Sequence, residues 1–298
     1  RPMAERSPTL RQFAKDAGCT IDYQEYDALD QLLQRLDAPD AQWDLIVISD
    51  SDIAPFRKAG RLRPLDAAKI KNFSKIESKW ITPDISGFAA PYLYGSSGIL
   101  WRKDVLPELG SFKNLLIDTP EVLKALKALG KSANATDPGS LRAAQKVMHS
   151  FKERGFVGAI SSDIDFLVSG LKDGKFLAVV IWSGDGISAA AEAPETLSFA
   201  LPQDGGLWYV DNWCMPAQGK NPDMAHKFID FVLEPAVHSR IALNLSYGCP
   251  NAEGLKLLPK EFLADRNIHP PADLMARMEV YTAGDVAGRE KILNLLRR

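Results

Sequence analysis

Two segments of the chain place an acidic residue beside aromatic side chains. The string WSGD runs from Trp182 to Asp185 after an apolar run, and WYVDNW runs from Trp208 to Trp213 after an Asp-Gly-Gly turn, with Asp211 inside it. Aromatic faces attract an organic ammonium and pack on its methylene groups, while a carboxylate accepts its charge-assisted hydrogen bonds. These segments could therefore bind an alkylammonium group. For either segment alone, the alternative is that the indoles belong to the core and the acids are exposed turn residues.

The common catalytic and metal-binding motifs are absent from the sequence. It contains no phosphate-binding or dinucleotide-binding glycine motif, and no serine-hydrolase or zinc-protease motif. We expect the four scattered histidines to lie on the surface; they are His149, His226, His238 and His269. The three cysteines form no Cys-x-x-Cys pair, so we expect buried thiols, with one long-range disulfide as the alternative. The sequence thus predicts no enzyme, no cofactor and no metal site.

Length and charge exclude further classes. The chain has 298 residues, which favours two lobes over a single core. Its 36 Lys and Arg residues against 38 Asp and Glu residues lack the basic surplus of a nucleic-acid-binding protein, so we expect no nucleic-acid partner. No stretch reaches the roughly 18 to 20 apolar residues of a membrane helix, and we expect no direct insertion into a membrane. The given sequence starts at Arg1 and shows neither a signal peptide nor proof that one was removed.

Apolar runs alternate with helical patterns, which is typical of an α/β protein. The apolar runs predict buried strands at Leu45–Ile48, Asn114–Ile117 and Phe176–Trp182. The helical patterns cover residues 121–130, 138–155 and 222–234. No Pro-rich or Ser-rich linker divides the chain, so two lobes would have to be interleaved.

Taken in order along the chain, several strings resemble the bacterial spermidine/putrescine-binding proteins, the substrate-receiving subunits of ABC polyamine importers. The strings include WDLIVISDSDIAPFRKAGRLRPLD, APYLYGSSGILWRKDVLP, WSGD, LPQDGGLWYVDNWCMPAQGKNP and AHKFIDFVLEPAV. The resemblance implies a type II periplasmic binding-protein fold, in which two interleaved α/β lobes hold a ligand in the cleft between them. It assigns residues 1–98 plus 211–253 to lobe one and residues 99–210 plus 254–298 to lobe two.

The same resemblance implies which residues contact the ligand. Asp211 matches the family's acid for one terminal amine, and Trp182 and Tyr209 match aromatic residues that pack on the ligand's carbon atoms. Asp185 resembles the acid that putrescine-type members carry at this position and spermidine-type members usually lack. Further matches are Glu121 and Asp118 at the start of a lobe-two helix, Ser49 and Ser51 after a lobe-one strand, and Tyr247 near a crossing between the lobes.

The function that the resemblance implies is binding of a polyamine, in particular a diamine such as putrescine, and its delivery to an ABC permease in the membrane. The periplasm is the compartment implied. One alternative is a polyamine sensor that docks on a membrane signalling protein, and another is a relative that binds a different amine or an amino-acid derivative. The sequence also departs from the family, and its segments before Phe88 and between Leu106 and Asp118 are shorter than usual. It shows no counterpart of the opening strand and aromatic-polar-acid motif that family members carry.

Overall fold

The structure is a computed structural model that describes residues 7–26, 29–106, 109, 129–132, 134–153, 161 and 163–280. The strand predicted at Asn114–Ile117 lies outside the described residues. The same holds for residues 121–128 of the helix predicted at 121–130.

Helices and strands alternate along the described chain, as the sequence predicts. Up to residue 102 they are α1 (Pro8–Ala17), α2 (Leu29–Leu36), β1 (Ile46–Ser49), α3 (Asp50–Lys58), β2 (Leu62–Arg63) and β3 (Ala89–Arg102). Between residues 138 and 216 they are α4 (Pro138–Glu153), α5 (Ile164–Lys172), β4 (Ala178–Trp182), α6 (Ser183–Glu192), β5 (Leu197–Ala200) and β6 (Leu207–Pro216). The remaining elements are α7 (Pro222–Val232), α8 (Pro235–Leu245), α9 (Ala252–Leu255), α10 (Lys260–Ala264), α11 (Ala272–Met275) and β7 (Glu279–Val280).

Helix α7 begins at Pro222, whose fixed φ suits the first helical turn. Its predicted apolar face is buried and consists of Ala225, Phe228, Ile229 and Val232. His226 is buried as well, because its Nε2 accepts the N–H of Asp66 at 2.9 Å and its Nδ1 donates to the Pro222 carbonyl at 2.6 Å. His238 on α8 is also buried, and its Nε2 donates to the carbonyl of Tyr92. The predicted surface position is therefore wrong for these two histidines.

The chain divides into two compact units. The first comprises Arg1–Leu93, Val210–Asn244 and Cys249–Pro259, and the second comprises Tyr94–Tyr209, Leu245–Gly248 and Lys260–Arg298. Two of the boundaries fall within strands β3 and β6, so each of these strands contributes residues to both units.

In the first unit, β1 pairs antiparallel with β6. Ile46 lies opposite Cys214, and Ser49 lies opposite Asp211. The core behind this pair consists of Leu32, Ile46, Ile48, Ile53, Phe56, Leu62, Ile85, Ala89 and Cys214. Because α3 begins directly after Ser49, the strand pairing brings Asp211 beside the first residues of that helix.

In the second unit, β3 pairs antiparallel with both β4 and β5. Ser97 lies opposite Trp182, and Ile99 lies opposite Ala200 on the other side. The main core cluster consists of Leu100, Leu167, Leu171, Val179, Ile181, Ala189, Leu197, Phe199, Leu201 and Leu274. Strand β4 leads into α6 without a connecting loop, which fixes Trp182 at the junction of the two elements.

The three cysteines, Cys19, Cys214 and Cys249, are free thiols, so the disulfide alternative is wrong. Cys214 and Cys249 are buried as predicted, whereas Cys19 is half-buried. Within the described part of the chain, no helix is long and apolar enough to cross a membrane.

Candidate functional site

Trp182 is the last residue of β4 and the N-cap residue of α6. Its side chain is 46% exposed although the four preceding residues of the strand are buried. The indole meets the ring of Tyr209 edge to face, with the ring centroids 5.0 Å apart. The alternative that Trp182 is a core residue is therefore wrong. The indole is an aromatic surface that a ligand could cover.

Asp185 lies in the first turn of α6, where the helix dipole favours a negative charge. Its carboxylate accepts a hydrogen bond from the hydroxyl of Tyr247 at 3.2 Å. Burial raises the pKa of Asp185 above its ordinary value, and this hydrogen bond opposes the rise. Asp185 is thus a half-buried carboxylate held in place by a phenol from a distant part of the sequence.

Two glycines make room for Tyr247 in the second unit. A Cβ atom on Gly184 would lie 2.2 Å from the Tyr247 ring, and one on Gly95 would lie 2.7 Å from the same ring and 2.8 Å from the Tyr209 hydroxyl oxygen. Neither position could carry a side chain without moving a tyrosine. The structure therefore brings together four of the predicted site residues, namely Trp182, Asp185, Tyr209 and Tyr247.

The first unit holds a second group of predicted residues at the junction of β1 and α3. Asp211 on β6 lies opposite Ser49 on β1, and the Ser49 hydroxyl donates to Asp50 at 3.0 Å. The Ser51 N–H also donates to Asp50, at 3.1 Å. Ser49 thus lies near Asp211, but both serines donate to Asp50, a neighbouring acid that the sequence analysis did not select.

The electrostatics of this junction are those of three acids close together. Burial first, and then the charges of Asp50 and Asp52, raise the pKa of Asp211 to about 7. Burial and the charge of Asp50 raise the pKa of Asp52 to about 6. Tyr26 lies beside them, since burial, Asp211 and Asp52 together raise the pKa of its phenol. A positive charge placed here would relieve this repulsion.

Sequence reasoning missed Asp50, Asp52 and Tyr26. The available signal was the string SDSD directly after a predicted strand, but acids in the first turn of a helix are common for reasons of helix stability alone. Glu121 and Asp118 lie outside the described residues and remain predictions. A cavity of about 280 Å³ in the first unit is lined by residues such as Trp43 and Arg61 and contains none of the predicted site residues.

The α/β architecture and the sequence agree with one class of protein. The family of bacterial extracellular solute-binding proteins matches residues 9–268, and the chain belongs to this family. Two relatives are the spermidine/putrescine-binding periplasmic protein of Salmonella typhimurium, 27% identical over 91% of this chain and 81% of the relative, and the putrescine-binding periplasmic protein PotF of Escherichia coli, 27% identical over 91% and 81%.

A solved structure of a similar protein has the same fold. A putative spermidine/putrescine ABC transporter from Listeria monocytogenes superposes with a TM-score of 0.84 at 25% identity, covering 97% of this chain and 94% of that one. The predicted type II periplasmic binding-protein fold and the predicted resemblance to the spermidine/putrescine-binding proteins are confirmed.

Proposed function

We propose that this protein binds a polyamine, in particular a diamine such as putrescine, and delivers it to an ABC permease from the periplasm. The observation that carries the proposal is that each unit holds a half-buried carboxylate, Asp211 in the first unit and Asp185 in the second. Neither forms an ion pair with a basic side chain of the described residues. A partly buried carboxylate without a cationic partner is costly, and a ligand ammonium would compensate it.

A diamine matches the chemistry of the residues around Asp211 and of those around Asp185. It carries one charge at each end and apolar methylene groups between them. In our proposal Asp211 binds one ammonium group and Asp185 binds the other. The exposed Trp182 indole and the Tyr209 ring pack on the methylene groups, which favours an alkyl chain over a polar ligand.

The comparisons support this choice of ligand and role. The relatives named above are described as binding spermidine or putrescine, and the Listeria protein is described as part of an ABC transporter. Nothing in these comparisons favours the alternative of a sensor. Delivery can be tested by measuring whether the loaded protein stimulates ATP hydrolysis by its importer reconstituted in vesicles.

The binding step can be tested by calorimetric titration of ligand-free protein with putrescine, cadaverine, spermidine and agmatine. Asp211→Asn keeps the side-chain shape and removes the charge, so we expect putrescine to bind about 2 to 5 kcal/mol more weakly. Asp40→Asn is the matched control, because Asp40 is an exposed acid of the same unit. Equal affinity in the Asp211 and Asp40 variants, or no binding of any amine by the unmodified protein, would refute the proposal.

Asp185 tests the preference for a diamine. Asp185→Asn should weaken putrescine binding more than spermidine binding, because the longer ligand has a third amine that can find another acceptor. Equal losses for the two ligands would be compatible with the polyamine function, but they would show that Asp185 does not discriminate putrescine from spermidine. A preference for γ-aminobutyrate or lysine in the same titrations would instead favour a relative that binds amino-acid derivatives.

A further inference from the structure

Tyr94 on β3 is buried in the second unit, and it contacts two segments that carry predicted site residues. Its ring centroid lies 5.0 Å from that of Trp208, which immediately precedes Tyr209 on β6. Its main chain pairs with Gly248, which immediately follows Tyr247, and the N–H of each paired residue donates to the carbonyl of the other, at 3.1 and 2.9 Å. Tyr94 thus adjoins the chain neighbours of both site tyrosines.

The close packing around Tyr94 depends on two glycines. A Cβ atom on Gly248 would lie 1.8 Å from the Tyr94 ring, so only glycine fits there while the ring keeps its place. Gly95 follows Tyr94 on β3, and the Tyr247 ring and the Tyr209 hydroxyl lie directly against it. The pairing of Tyr94 with Gly248 therefore sets where the Tyr247 ring meets Gly95.

A polar contact fixes the orientation of the Tyr94 ring. Its hydroxyl is hydrogen-bonded to Nδ1 of His269 at 3.0 Å, although the two residues are 175 positions apart in the sequence. The His269 ring meets the rings of Tyr94 and Phe262 edge to face, with centroid distances of 6.1 and 5.7 Å. Because a buried hydroxyl is costly without a partner, this hydrogen bond holds the Tyr94 ring in one position.

The hydrogen bond from Tyr247 to Asp185 is sensitive to small displacements. Its length is 3.2 Å, whereas roughly 2.7 to 2.8 Å is usual for a hydroxyl donating to oxygen. A small movement of the main chain at Gly248 would therefore weaken it further. A change in the orientation of the Tyr94 ring would cause such a movement, because that ring fills the space against Gly248.

We propose that Tyr94 is a positioning residue for ligand binding: anchored by His269, it holds Gly248 in place and so directs the Tyr247 hydroxyl to Asp185. This inference rests on the proposed function, because it requires a ligand ammonium at Asp185. Loss of the Tyr94 hydroxyl or of its partner on His269 should lower the affinity for putrescine, and it should do so through the Tyr247 hydroxyl.

The experiment is calorimetric titration of ligand-free protein with putrescine in a double-mutant cycle. Tyr94→Phe keeps the ring and the main-chain pairing and removes only the hydroxyl, so we expect about threefold weaker binding. In the Tyr247→Phe background the same change should have almost no effect, because the hydroxyl that it would misplace is already gone. A purely structural loss would instead weaken binding by the same factor in both backgrounds.

His269 provides a rescue test in the same assay. His269→Ala removes the partner of the Tyr94 hydroxyl and should weaken putrescine binding about threefold or more. His269→Asn returns an amide that can form a hydrogen bond with this hydroxyl, so it should restore most of the affinity. If Tyr94→Phe does not fold, as judged by circular dichroism, the two His269 variants decide the matter.

Asn267→Ala is the matched control. Asn267 lies two residues before His269, and its Oδ1 accepts the N–H of Leu201 at 3.2 Å. The variant removes a hydrogen bond of the second unit that does not involve Tyr94 or Tyr247. It should therefore lower the stability of the protein and leave the affinity for putrescine unchanged.

Failure of this inference can be told apart from failure of the proposed function. If putrescine binds, but Tyr94→Phe and His269→Ala bind it as tightly as Asn267→Ala does, the inference is overturned and the proposed function is unaffected. The inference is also overturned if these variants lose equal affinity with and without the Tyr247 hydroxyl, or if Tyr247→Phe itself has no effect. If no amine binds, or if Asp211→Asn has no effect, the proposed function itself fails.

Discussion

Replacing Asp211 with Asn should stabilise the ligand-free protein at neutral and alkaline pH. Burial and two neighbouring acids raise the pKa of Asp211 from 3.8 to about 7 in the folded state. As pH rises from about 4, the unfolded chain ionises this group before the folded chain does, and folding loses stability until the pH passes the folded value. The gap between the two values corresponds to at most about 4 kcal/mol.

Solvent screens a carboxylate that is only half-buried, so we expect a gain below this upper figure, roughly 2 kcal/mol at pH 8 and almost none below pH 4. The assay is urea unfolding of both proteins between pH 4 and pH 8, after bound amine has been removed by unfolding and dialysis. Asp40→Asn should stay within about 0.5 kcal/mol of the unmodified protein at every pH. A difference that does not change with pH, or a less stable Asp211 variant at pH 8, would refute the reasoning.

Three predictions concern the second unit, each checked by calorimetric titration beside a melting curve. Trp182→Ala should weaken putrescine binding about tenfold or more with little loss of stability, because the indole is 46% exposed; a loss of about 3 to 5 kcal/mol in stability would mean a core role. Tyr247→Phe removes the hydrogen bond to Asp185 and should weaken binding by about 0.5 to 1.5 kcal/mol without unfolding the protein. Gly184→Ala should weaken binding more than Tyr247→Phe does, since its Cβ would displace the Tyr247 ring, and a smaller effect would argue against that placement.

Local sequence patterns predicted the elements that position the site. The apolar run ending at Trp182 predicted strand β4, and the Asn-Pro start predicted helix α7 with its buried face. The buried His226 was not predicted, because its polar ring is satisfied by the backbone of Asp66, which is 160 residues away. A helical pattern cannot show such a partner.

The candidate site was predicted in outline but not in its contacts. Trp182 and Asp185 could be found because they adjoin one another at the end of a strand. The pairing of Asp185 with Tyr247 joins residues that lie 62 positions apart, and it depends on the missing side chain of Gly184. Only the folded chain shows that a glycine in WSGD leaves room for a tyrosine ring.

The half-buried charge of Asp211 affects both the stability of the ligand-free protein and its affinity for an ammonium group. Among the described residues Asp211 has no cationic partner, so its ionised carboxylate lowers the stability of the ligand-free state, and a bound ammonium would offset that cost on binding. The charge of Asp211 therefore lowers the stability of the ligand-free protein and raises the affinity for the ligand. Asp211→Asn should consequently be more stable than the ligand-free protein at pH 8 and less stable than the protein saturated with putrescine. An acid that served only to cap α3 would produce the reverse order in the ligand-free comparison, because its removal would cost stability.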